Sequence, residues 1–290
     1  MLIAQLSDLH VGEEQFDALL LDTAIDEINQ ASPDLVAVAG DLTGSGSREQ
    51  FYAASMHLGR LACPAVVLVP GNHDAQDAGD LHYEDVFGDR NRVVALATDL
   101  GRVRVICVDS TVPDMDDGEI GRELYPWLLE ALEAPADCRI LVMHHHLVAV
   151  PGTGRDRDTV GDAGDLLEIL RTLGVDLVLA GHRHVPHVWP VAGFFVVHSG
   201  AVSSRRVRGF AQPSYNLIHL SADQLEVRLQ TPSGPTEILA RYELPYGPEG
   251  RQRAVEATKL IRSGKRGGTD FRRPRSSNTA GPRVDPHSSS

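Results

Sequence analysis

Over the first two thirds of the chain, continuous apolar runs alternate with amphipathic stretches. Leu2–Leu6, Leu35–Ala39, Ala65–Val69, Val103–Val108, Ile140–Met143 and Leu177–Ala180 are short and rich in β-branched residues, the pattern of strands buried on both faces of a mainly parallel sheet. Between the first two, Phe16, Leu19, Leu20, Ala24, Ile25 and Ile28 recur at helical spacing and predict an amphipathic helix packed on that sheet. Further helices are predicted near 47–60, 122–133 and 163–172. From Phe194 the alternation stops: Phe194–Val197, Tyr215–Leu220, Leu225–Leu229 and Glu237–Leu244 follow one another without a helix, which predicts a second, more antiparallel sheet. The class is α/β.

The hydrophobic share of 42% over 290 residues supports one large core, and we place a single domain over 1–245. Residues 246–290 read as a basic extension, a short helix over 249–262 and then a disordered tail. From Gly264 onward only Phe271, Ala280 and Val284 are apolar, too few to offset the entropy of ordering. No apolar run reaches the roughly 20 residues of a bilayer span, and the amino terminus lacks a basic region and cleavage site. Cys63, Cys107 and Cys138 form no Cys-x-x-Cys pair and lie in or beside apolar runs, as reduced core thiols do. The compartment expected is the cytoplasm.

Charge narrows the partners. The net charge is −13, but residues 251–290 hold ten Lys or Arg against three acids, so the first 250 residues carry −20. Such a body repels polyanions, which argues against broad nucleic-acid contact. The tail is the one segment suited to weak contact with nucleic acid, although no aromatic platform accompanies it.

Five polar motifs each follow an apolar run: Asp8-Leu9-His10, Gly40-Asp41, Gly71-Asn72-His73-Asp74, His144-His145-His146 and Gly181-His182-Arg183-His184. In parallel α/β sheets the loops at the carboxyl ends of strands converge on one edge, where ligands bind. Carboxylate, amide oxygen and imidazole together suit Mn, Fe, Co, Ni or Zn rather than the nearly all-oxygen sites of Ca or Mg. The outer residues of Asp8-Leu9-His10 and His182-Arg183-His184 project the same way from an extended segment, so each triplet can serve one site. His144 follows its strand directly and is best placed as a ligand, with His145 the alternative. His146 is expected to serve the loop or to stand behind the ligands. Asp74 either orients His73 or holds its turn.

This arrangement resembles the calcineurin-like metallophosphoesterases, whose pattern is D-x-H, G-D, G-N-H-[DE], a His after a strand, and G-H-x-H. The similarity covers roughly residues 1–220 and is nearest to class III cyclic-nucleotide phosphodiesterases and glycerophosphodiesterases. It implies a four-layer αββα sandwich of two mixed sheets flanked by helices. It also implies two divalent metal ions, Mn, Fe or Zn foremost with Co and Ni as alternatives: one on Asp8, His10 and His184, the other on Asn72, His144 and His182, with Asp41 between them. A metal-bridging hydroxide would attack the phosphorus of a small phosphodiester such as a 3',5'-cyclic nucleotide, with His73 as general acid or transition-state stabiliser and Asp74 beside it.

Ser203, Ser204, Arg205, Arg206 and Arg208 resemble the Ser/Arg segments of cyclic-nucleotide phosphodiesterases. His145, Arg205 and Arg206 are accordingly candidate substrate contacts, an Arg being suited to bidentate phosphate binding. Residues 151–158 form a Gly-rich, charged loop suited to a lid or specificity role. Competing readings are a nuclease, a lipid-linked pyrophosphatase, or a catalytically silent scaffold of the same fold; a nuclease wants a basic face, a lipid enzyme an apolar insertion. Oligomeric state leaves no mark in the sequence.

Overall fold

The continuous apolar runs become strands because both of their faces are covered. The computed structural model describes residues 1–153, 159–191, 193–204 and 212–244. In the first sheet, β1 (Leu2–Leu6), β2 (Leu35–Ala39) and β3 (Val66–Val69) run parallel. Their side chains alternate between two cores: Ile3, Leu35, Ala37 and Val67 enter one, Ala4, Leu6, Val36 and Val38 the other. Helices α1 (Ala18–Ala31) and α2 (Arg48–Leu58) close the second core with Leu21, Ile25, Ile28, Phe51 and Leu58. Asp17 and Ser47 cap their first turns by accepting backbone N–H groups, the usual work of short oxygen side chains there.

The chain then passes through α3 (Gly79–Phe87) into the second sheet, formed by β4 (Arg92–Thr98), β5 (Gly101–Cys107), β6 (Cys138–Val142), β7 (Leu177–Ala180), β8 (His187–Val191) and β9 (Phe194–His198). Strands β5, β6, β7 and β9 are parallel, and β4 and β8 are antiparallel edges. Val103, Val105, Ile140, Val142 and Leu179 meet the first sheet, while Ile106, Leu141, Val178 and Val196 pack on α4 (Tyr125–Glu133) and α5 (Ala163–Thr172). Helix, sheet, sheet and helix make the four layers.

The last strands differ from the sequence expectation. They do not make a sheet of their own. Strand β9 joins β7 in the second sheet, and β10 (Tyr215–Leu220), β11 (Gln224–Gln230) and β12 (Thr236–Glu243) continue the first sheet, antiparallel from β1. Ile218, Leu220, Leu225 and Val227 thereby reach the core between the sheets. Three elements escaped the sequence pattern. Helix α3 begins at Gly79 without a side-chain cap and buries only Gly79 and Tyr83. Strand β4 is nowhere fully buried, and β8 carries Pro190, which an edge strand tolerates.

Among the described residues no helix is long and apolar enough to cross a membrane, and the three cysteines are free. Residues 154–158 of the charged loop, and 245–290 with the basic extension, lie outside the described residues.

Candidate metal centre

All five motifs leave the carboxyl ends of parallel strands, three from the first sheet and two from the second. Gln5 on β1 clamps the sheets together beside them: its Nε2 donates to the carbonyls of Ala180 (3.0 Å) and Val197 (3.1 Å), and its Oε1 accepts from Asn216 Nδ2 (3.0 Å). The two sheet edges then face each other across the site. Asp8, His10, Asp41, His182 and His184 all hold φ between +52° and +79°, a left-handed conformation that non-glycine residues adopt at a cost. Two cross-loop bonds hold the first of these turns in place, Asp8 N donating to Gly40 O and His10 N to Asp41 O, both at 3.0 Å.

The turns bring several imidazole nitrogens and carboxylate oxygens into close contact. His10 Nε2 and His184 Nε2 stand 3.0 Å apart, and Asp8 Oδ1 lies 3.3 Å from the latter. That oxygen is buried and accepts no hydrogen bond. Nearby, His144 Nδ1 donates to the Ala39 carbonyl (2.7 Å), which leaves Nε2 facing Asn72 Oδ1 (3.1 Å) and Asp41 Oδ2 (3.4 Å). His182 Nδ1 approaches the same Asn72 oxygen at 3.0 Å. A divalent cation among these donor atoms would satisfy their lone pairs together. The donor set of imidazoles, carboxylates and one amide oxygen suits a borderline divalent metal, so the residues present fit the metal pair. Three groups among the described residues bring potential ligand atoms within 4.8 Å of one another: Asp8, His10 and His184; Asp8, Asp41 and His144; and His10, Asp41 and His73.

Asp41 lies between His10 and His144. Its Oδ2 lies 3.4 Å from His144 Nε2 and 3.7 Å from His10 Nε2, while Oδ1 accepts from His73 N (2.9 Å). Burial alone would raise its pKa, but His144, His10 and His73 outweigh burial and hold the carboxyl well below its usual value. Asp8 is lowered in the same way, burial being overcome by His184 and His144. Conversely, burial disfavours protonation of His144, yet Asp41 and Asp8 push it up to about 9. Glycine is required where these groups meet: a Cβ on Gly40 (φ +87°) would collide with the His144 ring, and one on Gly71 with the Asp41 carboxylate.

His73 differs from the ligands. Its Nδ1 donates to the Gly44 carbonyl at 2.9 Å and its side chain is 20% exposed. Burial works against its charged form, but Asp41, the Gly44 carbonyl and Glu13 prevail and raise its pKa. Asp74 does not touch the His73 ring. Its carboxylate accepts from Gly71 N, Leu42 N, Thr43 N and Thr43 Oγ1 at 2.7 to 2.9 Å, which ties the loop after β3 to the loop after β2. Burial, reinforced by Asp41, raises its pKa to about 6 against those four donors.

The three consecutive histidines separate by environment. His145 Nε2 donates to the Asp116 carbonyl (3.2 Å), so its Nδ1 accepts from Ser110 Oγ (2.9 Å), and burial pushes its pKa down to about 3. Both nitrogens of this substrate-contact candidate are thus engaged within the protein. His146 Nε2 donates to the carbonyl of Gly181 (2.9 Å), bracing the Gly-His-x-His loop. Ser203 braces the first motif, its Oγ donating to Leu9 O and its carbonyl accepting from Asp17 N. Arg205, Arg206 and Arg208 lie outside the described residues. Sequence reasoning passed over Glu13, Thr43 and Ser110. Thr43 and Ser110 carry no signal of their own, whereas Glu13 stands three residues beyond His10 in a turn closed by Glu13 N and His10 O.

The chain belongs to the calcineurin-like phosphoesterase family, whose model matches residues 1–186. It is a metal-dependent hydrolase of that family. A Synechococcus protein named probable cyclic nucleotide phosphodiesterase is 28% identical over 190 residues, 63% of this chain and 72% of that one. A probable glycerophosphodiester phosphodiesterase from Arcobacter nitrofigilis is 29% identical over 157 residues, 50% of this chain and 57% of its own length. Among solved structures, a purple acid phosphatase from yellow lupin shares the fold with a TM-score of 0.68 at 12% identity, covering 87% of this chain and 55% of the phosphatase.

Proposed function

We propose that the protein is a dinuclear metal-dependent phosphodiesterase acting on small phosphodiesters, with 3',5'-cyclic nucleotides as the leading substrates and glycerophosphodiesters as the second. The observation that carries this reading is the single Asp41 oxygen within 3.4 Å of His144 and 3.7 Å of His10, one carboxylate placed to serve two sites. Asp8, His10 and His184 would hold one divalent ion; Asn72, His144 and His182 the other. When bound, the two ions supply positive charge for the phosphate and lower the pKa of coordinated water.

The chain's own residues do the rest. Asp8 and Asp41 remain ionised and the buried imidazoles turn their lone pairs inward. His73 binds Gly44 through Nδ1 and leaves Nε2 to donate a proton to the departing alkoxide. Against burial, Asp41, the Gly44 carbonyl and Glu13 favour its protonated form. The charge of −20 over the first 250 residues favours a small anion over a polyanion, and a nucleotide substrate agrees with the cytoplasmic compartment expected.

The test is a panel of cyclic nucleotides, glycerophosphodiesters, nucleotides and single-stranded DNA, assayed with Mn, Fe or Zn. Metal-replete wild type should hydrolyse a phosphodiester, and Asp41→Asn and His73→Ala should each lower kcat by about 100-fold or more. Equal, negligible rates for wild type and both variants on every substrate would overturn the reading.

A further inference from the structure

We propose that Glu13 is a positioning residue of the metal centre, holding His10 from behind and linking it to His73; this rests on the reading of His10 as a ligand. The chain turns back after His10: Glu13 N donates to His10 O at 3.0 Å, and Gly44 N donates to Val11 O at 3.0 Å. This folds Glu13 over the two loops that follow β1 and β2. Its Oε1 lies 3.1 Å from His10 Nδ1 and 3.5 Å from His73 Nδ1, and its side chain is only 17% exposed.

His10 Nδ1 is buried and makes no hydrogen bond, and Glu13 Oε1 stands within ion-pair distance of it. A carboxylate beside the outer nitrogen of a ligating histidine favours the proton there, fixing the tautomer whose other nitrogen is free. Here the other nitrogen is Nε2, which faces His184 and Asp8. The rings of His10 and His73 meet edge to face at 4.7 Å, so one carboxylate steadies both. Space for it exists because residue 44 is glycine: a Cβ there would lie 2.5 Å from Glu13 Cγ.

The experiment titrates metal-free protein with Mn by calorimetry, comparing wild type with Glu13→Gln, Glu13→Asp, Gly44→Ala and Glu14→Gln. Removing the charge in Glu13→Gln should weaken one binding event about 10-fold or more and leave the other unchanged. Glu13→Asp should recover part of the loss, and Gly44→Ala, which displaces the side chain without changing its charge, should reproduce it. Exposed Glu14 is the charge control and should have no effect. Affinity of Glu13→Gln within about twofold of wild type, or equal weakening in Glu14→Gln, overturns the proposal. If Glu13 acts as stated while no phosphodiester is cleaved, the functional reading falls and this inference stands. Wild type that binds no Mn overturns both.

Discussion

Asp74 ties together the two loops that carry candidate ligands. Four donors from two loops converge on its buried carboxylate, and between them those loops carry Asp41, Asn72 and His73. An amide offers one acceptor oxygen and turns an NH2 group toward donors. Asp74→Asn should therefore cost roughly 2–3 kcal/mol in urea unfolding, the penalty for leaving buried donors unsatisfied. A loss below about 0.5 kcal/mol would mean the loops are held by something else. The same scale explains the left-handed turns. Each costs on the order of 1–3 kcal/mol, and five of them sit in the candidate centre because side chains on adjacent residues must be re-aimed toward one point. The motifs were legible as chemistry because each put ligand atoms at a strand end. Glu13 was not, since a single acid near the amino terminus reads like any solvated residue until its turn folds it onto His10.

At the scale of elements, His198 at the end of β9 is buried with neither ring nitrogen hydrogen-bonded, its ring 4.4 Å from that of His146. Burial, with a smaller contribution from His187, pushes its pKa down to about 3. The unfolded chain binds a proton here below about pH 6.5 while the folded chain does not. Stability is therefore full above that pH and is lost as pH falls through it, by about 1.4 kcal/mol per unit for one such group. His198→Phe should flatten the pH dependence by that amount between pH 6 and 5, measured by urea unfolding of metal-free protein; identical slopes would show that His198 is not held neutral. Strand β9 also marks how far element prediction reached. Periodicity shows that a run has buried faces, so β1, β2, β7 and β10 emerged with their observed ends. It does not show whose edge a strand joins, so β9 and β10–β12 were given to one sheet when the fold divides them. Helix α3 and strands β4 and β8 bury too little to leave a periodic trace.

At the scale of the whole molecule, the candidate centre lies between two sheets that also meet through an apolar core and through hydrogen bonds such as those of Gln5 and Asn216. The first sheet supplies Asp8, His10, Asp41 and Asn72; the second supplies His144, His182 and His184. Ions held as proposed would bind only when both edges are in place, which would link metal binding to folding. At free metal about 100 times its dissociation constant the folded state gains about 2.7 kcal/mol for each site filled. For a chain of this size that corresponds to roughly 5–10 °C in Tm. Chelation should lower Tm by that amount for each site emptied, and adding Mn back should restore it in proportion to the logarithm of its concentration. Asp41→Asn removes the shared carboxylate and should show a much smaller metal-dependent shift. His73→Ala leaves every proposed ligand in place and should keep the full shift while losing catalysis. That contrast separates a residue that holds the ions from one that moves the proton; equal shifts in the two variants would erase the distinction.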